Sequence, residues 1–233
     1  RAMDSVAYLE KALGAKALEL KDAVRLGRTC LQDAVPNTFG QVFGAWQCSI
    51  HRNGRRLAAL REDYREVVLG ATILGTGMGQ MPGYAEAIMD NLSQVLGWQV
   101  RWPCWEGEVI EDSAAFDGMM NCDQAVALSG ALKVLACCAA RISNDLFSLS
   151  SGPRCGFGEL VLPEIAPGSS IMPGKINPYM PELMFQIMHQ AVIADHAATL
   201  TVNENDGDEA INDGCTSFMG AMETREANEN GCR

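Results

Sequence analysis

A stretch of about 30 residues rich in Gly, Pro and Ser separates two strongly apolar, helix-like segments; in a compact domain so long a connection usually carries function. Its densest part is Gly168-Ser169-Ser170-Ile171-Met172-Pro173-Gly174-Lys175-Ile176-Asn177-Pro178. Gly168 and Gly174 free the backbone to present N–H groups to an anion. Ser169 and Ser170 offer hydroxyls, Lys175 an ammonium and Asn177 an amide donor. That set suits an activated serine on a loop that folds over a carboxylate. A polar surface loop without chemistry has the same composition, so composition leaves both readings open.

The elements that must carry this loop are long helices. Val6, Leu9, Leu13, Ala17, Leu20 and Val24 recur at three- and four-residue steps and predict a helix over 4–25, followed by a turn at Gly27-Arg28-Thr29. Pro36 is expected to open a second helix, with Asn37 and Thr38 near its start. Its apolar positions run from Phe39 to Val68, with an irregularity at Asn53-Gly54 and an end in the glycines at 70, 75, 77 and 79. A shorter helix over 84–96 precedes an irregular stretch, 98–118, that holds Trp98, Trp102 and Trp105. Two strong helices follow over 121–148 and 179–202; in the second, Leu183, Ile187, Met188, Ala191, Val192 and Ala198 are expected to face inward. No alternation predicts a strand. Helices apolar on more than one side need neighbours from other subunits to bury them. Residues 205–233 are polar or acidic with little periodicity and read as a poorly defined, disordered tail.

With 233 residues and 48% hydrophobic composition, the chain can build a sizeable core. Its net charge of -11 argues against nucleic acid or an anionic membrane as partner, since both need a basic face. It leaves room for a small anionic substrate, provided the site gathers its cations locally. Nine cysteines, of which Cys137 and Cys138 are adjacent and the rest scattered, without C-x-x-C or zinc spacing, read as free thiols rather than a disulfide framework or a metal site. No apolar stretch is read as a membrane span, and no secretory signal is seen at Arg1-Ala2-Met3-Asp4. His51 with Arg52, Arg55 and Arg56 reads as a solvated face, and His189 as a core or interface histidine. Gly75-Thr76-Gly77-Met78-Gly79 follows a helix rather than a strand and is not read as a nucleotide loop.

The string from Gly168 to Pro178 resembles the signature loop of the fumarase/aspartase superfamily. Three further segments agree in order and spacing: Gly27-Arg28-Thr29-Cys30-Leu31-Gln32-Asp33-Ala34-Val35-Pro36, Leu69-Gly70-Ala71-Thr72 to Thr76-Gly77, and Leu149-Ser150-Ser151-Gly152-Pro153-Arg154-Cys155-Gly156 with Glu159-Leu160 and Leu162-Pro163-Glu164. The resemblance covers roughly residues 5–205 and fades beyond Glu204. It implies an all-α fold: the long-helix bundle that is the central domain of the fumarase/aspartase fold, assembling into a tetrameric helical core. It implies one lyase domain over 1–204, with loops 26–36 and 149–178 carrying the site.

The resemblance also implies the chemistry. A proton leaves the carbon next to a carboxylate, a group leaves the neighbouring carbon, and the intermediate dianion needs fixed donors and cations. By position, Ser169 is the catalytic base, an alkoxide whose pKa nearby N–H dipoles and Lys175 must lower. Thr29, Ser170, Lys175 and Asn177 bind substrate carboxylates. Glu182 stands where fumarases have a glutamate that orients a histidine, and Cys30 stands where they have a histidine for acid–base work. A thiol cannot replace imidazole as proton donor to a leaving hydroxide, whereas ammonia leaves more easily. The resemblance therefore favours deamination of L-aspartate to fumarate, without cofactor or metal, by a cytoplasmic homotetramer. The alternatives are a fumarate hydratase or other lyase of the family, and a truncated helical assembly module that turns over nothing. A site segment containing Ser-Ser-Asn and a small C-terminal domain, both present in the family, are not found, so the chain reads as a fragment.

Overall fold

The computed structural model describes residues 1–105, 107, 110 and 112–203. The elements follow in the order α1 (Ala2–Glu19), β1 (Val24–Thr29), β2 (Gln32–Thr38), α2 (Phe39–Asp63), α3 (Tyr84–Leu96), α4 (Ser113–Met120), α5 (Asp123–Leu149) and α6 (Tyr179–Asn203). The expected all-α bundle is found, and the helices at 84–96, 121–148 and 179–202 lie where periodicity put them, within the usual uncertainty of helix ends. The tail over 205–233 lies outside the described residues.

One departure in element type is an antiparallel hairpin, β1–β2, where no strand was expected. Gly27-Arg28-Thr29 is strand rather than turn, and Pro36 lies in β2 rather than opening a helix. The turn is Cys30-Leu31, with φ of 50° and 61° at the two positions. Two consecutive positive φ values make the tight turn whose twist matches a hairpin, a geometry that normally selects Asn or Gly. Cys-Leu carries no such signal. The register shifts between Leu26 and Arg28, so that Ala34 and Val35 together face Gly27. A Cβ on Gly27 would lie 2.8 Å from the Val35 carbonyl oxygen, which is why glycine stands at this bulge.

The chain divides into two compact units, residues 1–57 with 131–192, and 58–130 with the residues from 193. In the first, α1 and α2 pack antiparallel through small residues. A Cβ on Gly14 would meet Gln47, one on Gly40 would meet the Lys21 and Ala17 backbone, and one on Gly54 would meet Val6. Thr38 and Gln41 start α2 by exchanging side-chain bonds to each other's backbone N–H, at 3.1 and 3.0 Å. The buried stripe of α2 is Phe39, Phe43, Trp46, Ile50 and Leu57, with Ile50 wholly excluded from solvent. The helix runs through Asn53-Gly54 without the expected irregularity, and the buried Asn53 amide is satisfied by donating to the Ser49 carbonyl at 2.9 Å. Val6, Leu13, Ala136, Ala140, Ile142 and Leu149 complete this core.

In the second unit α2 stops at Asp63, short of Val68, and residues 65–67 pair with Arg101 in a parallel bridge. Trp98 carries the Arg61 and Arg65 guanidiniums on its ring, at 5.0 and 5.3 Å from the centroid. The stretch expected to be irregular contains α4, which packs against the glycine-rich loop. Gly75 and Gly118 leave no room for a Cβ beside Ala115 and Val68 respectively.

Two apolar faces depart from expectation. On α6, Leu183, Ile187 and Val192 are 44, 47 and 38% exposed rather than inward-facing, while Ala198 is buried. In α5, an 18-residue window has mean hydropathy 1.7, the length and composition of a membrane span, although none was read from the sequence. Core helices of soluble proteins reach the same values, and only 17% of that window is buried within this chain.

Candidate active site

The serine loop hangs between α5 and α6 in the first unit and is pinched at its neck. Gly168 passes so close to the Lys175 carbonyl that a Cβ would lie 2.3 Å from its oxygen. The Tyr179 hydroxyl, on the first turn of α6, donates to the Pro167 carbonyl at 3.2 Å and accepts from the Asn177 amide at 3.3 Å. Gly174 turns the chain back with φ of 83°. Inside this neck, the Met172 N–H donates to the Ser169 carbonyl at 2.9 Å and the Lys175 N–H to the Met172 carbonyl at 3.2 Å. Ser169, Ser170 and Lys175 are exposed and Asn177 is half-buried. The Ser169 Oγ accepts a long bond, 3.4 Å, from the Ile171 N–H. Tyr179 was missed by sequence reasoning; a tyrosine after Asn-Pro gives no hint that it will close a loop.

Thr29 and Cys30 sit at the exposed tip of the hairpin and line a cavity of about 820 Å³. Its walls include Arg25, Arg28, Asn37, Trp46, Ser49 and Arg141. No residue of 168–178 lines it, so the structure gathers Ser169, Ser170, Lys175 and Asn177 on one loop and Thr29 with Cys30 elsewhere in the same unit. Glu182 stands exposed in the first turn of α6, a place where any carboxylate is favoured by the helix dipole. Among the described residues no side-chain bond is made to it from a histidine.

The local cations that an acidic chain needs are present at the cavity. Arg25 Nε bonds Glu159 Oε2 at 3.2 Å, and Arg28 Nη1 bonds Glu159 Oε1. Arg28 also faces Asp33 at 3.6 Å and stacks on the Phe157 ring, 4.6 Å from its centroid. The backbone around Glu159 is itself fixed, since the Glu159 and Leu160 N–H groups both donate to the Leu149 carbonyl at the end of α5, at 2.9 and 3.1 Å. Arg28 and Glu159 stand in segments singled out in the sequence without an assigned role, and Arg25 in none; a pair of arginines reaching one distant carboxylate cannot be read from spacing. Cys30 is an exposed thiol outside any disulfide.

The family described as Lyase matches residues 3–193. The chain is similar to a class II fumarate hydratase of Chlamydia trachomatis, 38% identical over 79% of this chain and 38% of the relative. It is similar to an aspartate ammonia-lyase of Escherichia coli, 37% identical over 85% of this chain and 40% of the relative. Among solved structures, a fumarate lyase:delta crystallin from Brucella melitensis bound to cobalt matches with TM-score 0.79 and 33% identity, over 97% of this chain and 48% of that one. A class II fumarase from Schistosoma mansoni matches with TM-score 0.79 and 26% identity, over 96% and 48%. The chain thus spans about two fifths of the length of the curated relatives it matches.

Proposed function

This chain belongs to the lyase family of the fumarases and aspartases, and from that premise we propose that the protein it represents deaminates L-aspartate to fumarate and ammonia. Ser169 takes the proton from the carbon next to one carboxylate. Ser170, Lys175, Asn177 and Thr29 hold the substrate carboxylates and the charge that develops on them. The bond from the neighbouring carbon to nitrogen then breaks and the amine leaves with the electron pair, so that the C=C bond of fumarate forms. The chemistry calls for no organic cofactor or metal, and the proposed setting is cytoplasmic.

The single observation that carries the choice of leaving group is Cys30. It stands exposed at the tip of the hairpin beside Thr29, where a fumarase is expected to place an imidazole. A thiol is a poor proton donor to a leaving hydroxide, and ammonia needs less help. Overall identity does not choose, since hydratases and ammonia-lyases are matched at 38 and 37%.

The proposed assembly is a homotetramer whose sites combine segments of different copies. Two observations support it. Thr29 lines a cavity to which, among the described residues, none of 168–178 contributes. The exposed apolar residues of α5 and α6, Leu132, Phe147, Leu183 and Ile187 among them, are more than an isolated bundle would leave to water.

The test is fumarate release, followed by ultraviolet absorbance, from L-aspartate and separately from L-malate, with Ser169→Ala run beside the full-length protein. Release from L-aspartate alone, lost in the variant, is the expected result. Release from L-malate would overturn the argument from Cys30 and give the protein a hydratase role. A Ser169→Ala variant with unchanged turnover would remove the serine from the mechanism.

A further inference from the structure

Little apolar packing holds the hairpin that carries Thr29. Val24 and Val35 are 74 and 68% exposed, and every residue from Leu31 to Pro36 is exposed. Its turn runs against conformational preference at two bulky residues, Cys30 and Leu31. A two-stranded ribbon of this kind is marginal by itself. At its base the Phe39 N–H donates to the Ala23 carbonyl at 2.9 Å. Further along, toward Thr29, the described ionic anchor outside the hairpin is Glu159. The side chains of Arg25, Arg28 and Glu159 are only 12, 20 and 16% exposed, and each carboxylate oxygen serves one guanidinium.

We infer that Glu159 is the positioning residue for the Thr29 corner of the site: its carboxylate gathers Arg25 and Arg28 and so fixes where the hairpin presents Thr29 to a substrate carboxylate. The inference rests on the lyase reading for the role of Thr29, and on the geometry alone for the anchoring. A charge is required, not merely an acceptor. The two guanidiniums repel one another, and a neutral amide cannot offset that repulsion or offer both an acceptor oxygen. The Arg28 guanidinium also lies on the Phe157 ring, 4.6 Å from its centroid. Glu159 stands nine residues before Gly168 on the stem of the serine loop, so one side chain ties both site-bearing segments of the chain to a common backbone.

The experiment compares the full-length protein with Glu159→Gln, which removes the charge, Glu159→Asp, which keeps it, and Arg28→Lys, which keeps the opposite charge but loses the guanidinium fork. Hydrogen exchange is read on peptides covering residues 24–38, with peptides of α2 and α5 as internal reference, and KM and kcat are read separately. In Glu159→Gln, exchange at Thr29 to Gln32 is expected to speed up about tenfold while the reference peptides stay unchanged, and KM is expected to rise about tenfold with a smaller change in kcat. Glu159→Asp should recover most of both effects. Hairpin exchange as slow in Glu159→Gln as in the parent would overturn the inference. So would an aspartate variant as defective as the glutamine one, which would mean that shape rather than charge matters. If Glu159→Gln does not fold, the same exchange comparison on Arg28→Lys decides. A parent protein that releases no fumarate would sink the lyase reading, and the exchange arm would still decide whether Glu159 anchors the hairpin.

Discussion

Gly168→Ala tests the neck of the serine loop. A Cβ at this position would lie 2.3 Å from the Lys175 carbonyl oxygen. Ordinary carbon–oxygen approach needs about 3.3 Å, so the two strands of the neck must part by about 1 Å. Ser169 is the next residue and moves with them. A displacement of about 1 Å at a reacting group costs about 10²-fold in rate, equivalent to ~2.7 kcal/mol of lost transition-state stabilisation. The loop is exposed and lies outside the apolar core, so the melting midpoint should shift by less than about 4 °C. The assay is kcat for fumarate release beside a thermal melt, with Gly174→Ala as comparison. That second glycine has positive φ but open space where its Cβ would go, and its alanine variant should lose about 1 kcal/mol of backbone preference without the steric wedge. A Gly168→Ala protein that turns over within threefold of the parent would refute the reasoning, since the clash is with backbone and no side chain can move aside to relieve it.

Three further outcomes are expected. Tyr179→Phe removes the hydroxyl that joins Pro167 to Asn177, two neutral bonds of about 0.5–1.5 kcal/mol each, and should lower kcat/KM about tenfold while speeding proteolysis within 168–178. Ile50→Ala deletes a side chain wholly buried in α2 and should cost about 2–5 kcal/mol in urea unfolding, with turnover per folded molecule unchanged. Burial, with Asp63 and Cys122 adding to it, raises the pKa of Tyr64 above its ordinary 10.0. A folded-state pKa above the unfolded one means that the stability is fully present below about pH 10 and is lost as pH rises through the folded value. The absorbance of tyrosinate should therefore show one residue titrating late, and Tyr64→Phe should flatten the alkaline fall in stability at the expense of the bond to the Gln124 carbonyl.

The long helices were legible because apolar periodicity is a property of the chain itself. Of the apolar positions that spacing gave from Phe39 to Val68, Phe39, Phe43, Trp46, Ile50 and Leu57 form the buried stripe, while Val42 and Leu60 stay partly exposed and the last three fall beyond the helix end at Asp63. The serine loop was legible as a long connection between two such helices, and the exact order of its residues, rather than their composition, carried the resemblance to a lyase loop. The hairpin was not legible. Cys30-Leu31 makes its turn against local preference, and Pro36 with Thr38 reads as well for a helix start as for a strand end. Tertiary contacts outweigh those preferences, since Arg25 and Arg28 reach Glu159 across more than a hundred residues of chain. The inward face assigned to α6 failed for the opposite reason. Its apolar residues obey helical spacing, yet within one chain Leu183, Ile187 and Val192 meet water. Periodicity says which side of a helix is apolar, and only the surrounding structure decides what covers it. The sequence alone determined that a serine, a lysine and an amide share one loop. The neck that aims them, Gly168 against Lys175 and Tyr179 across Pro167, exists only after folding, because van der Waals contact and hydrogen-bond direction are properties of distance in space and not of order along the chain.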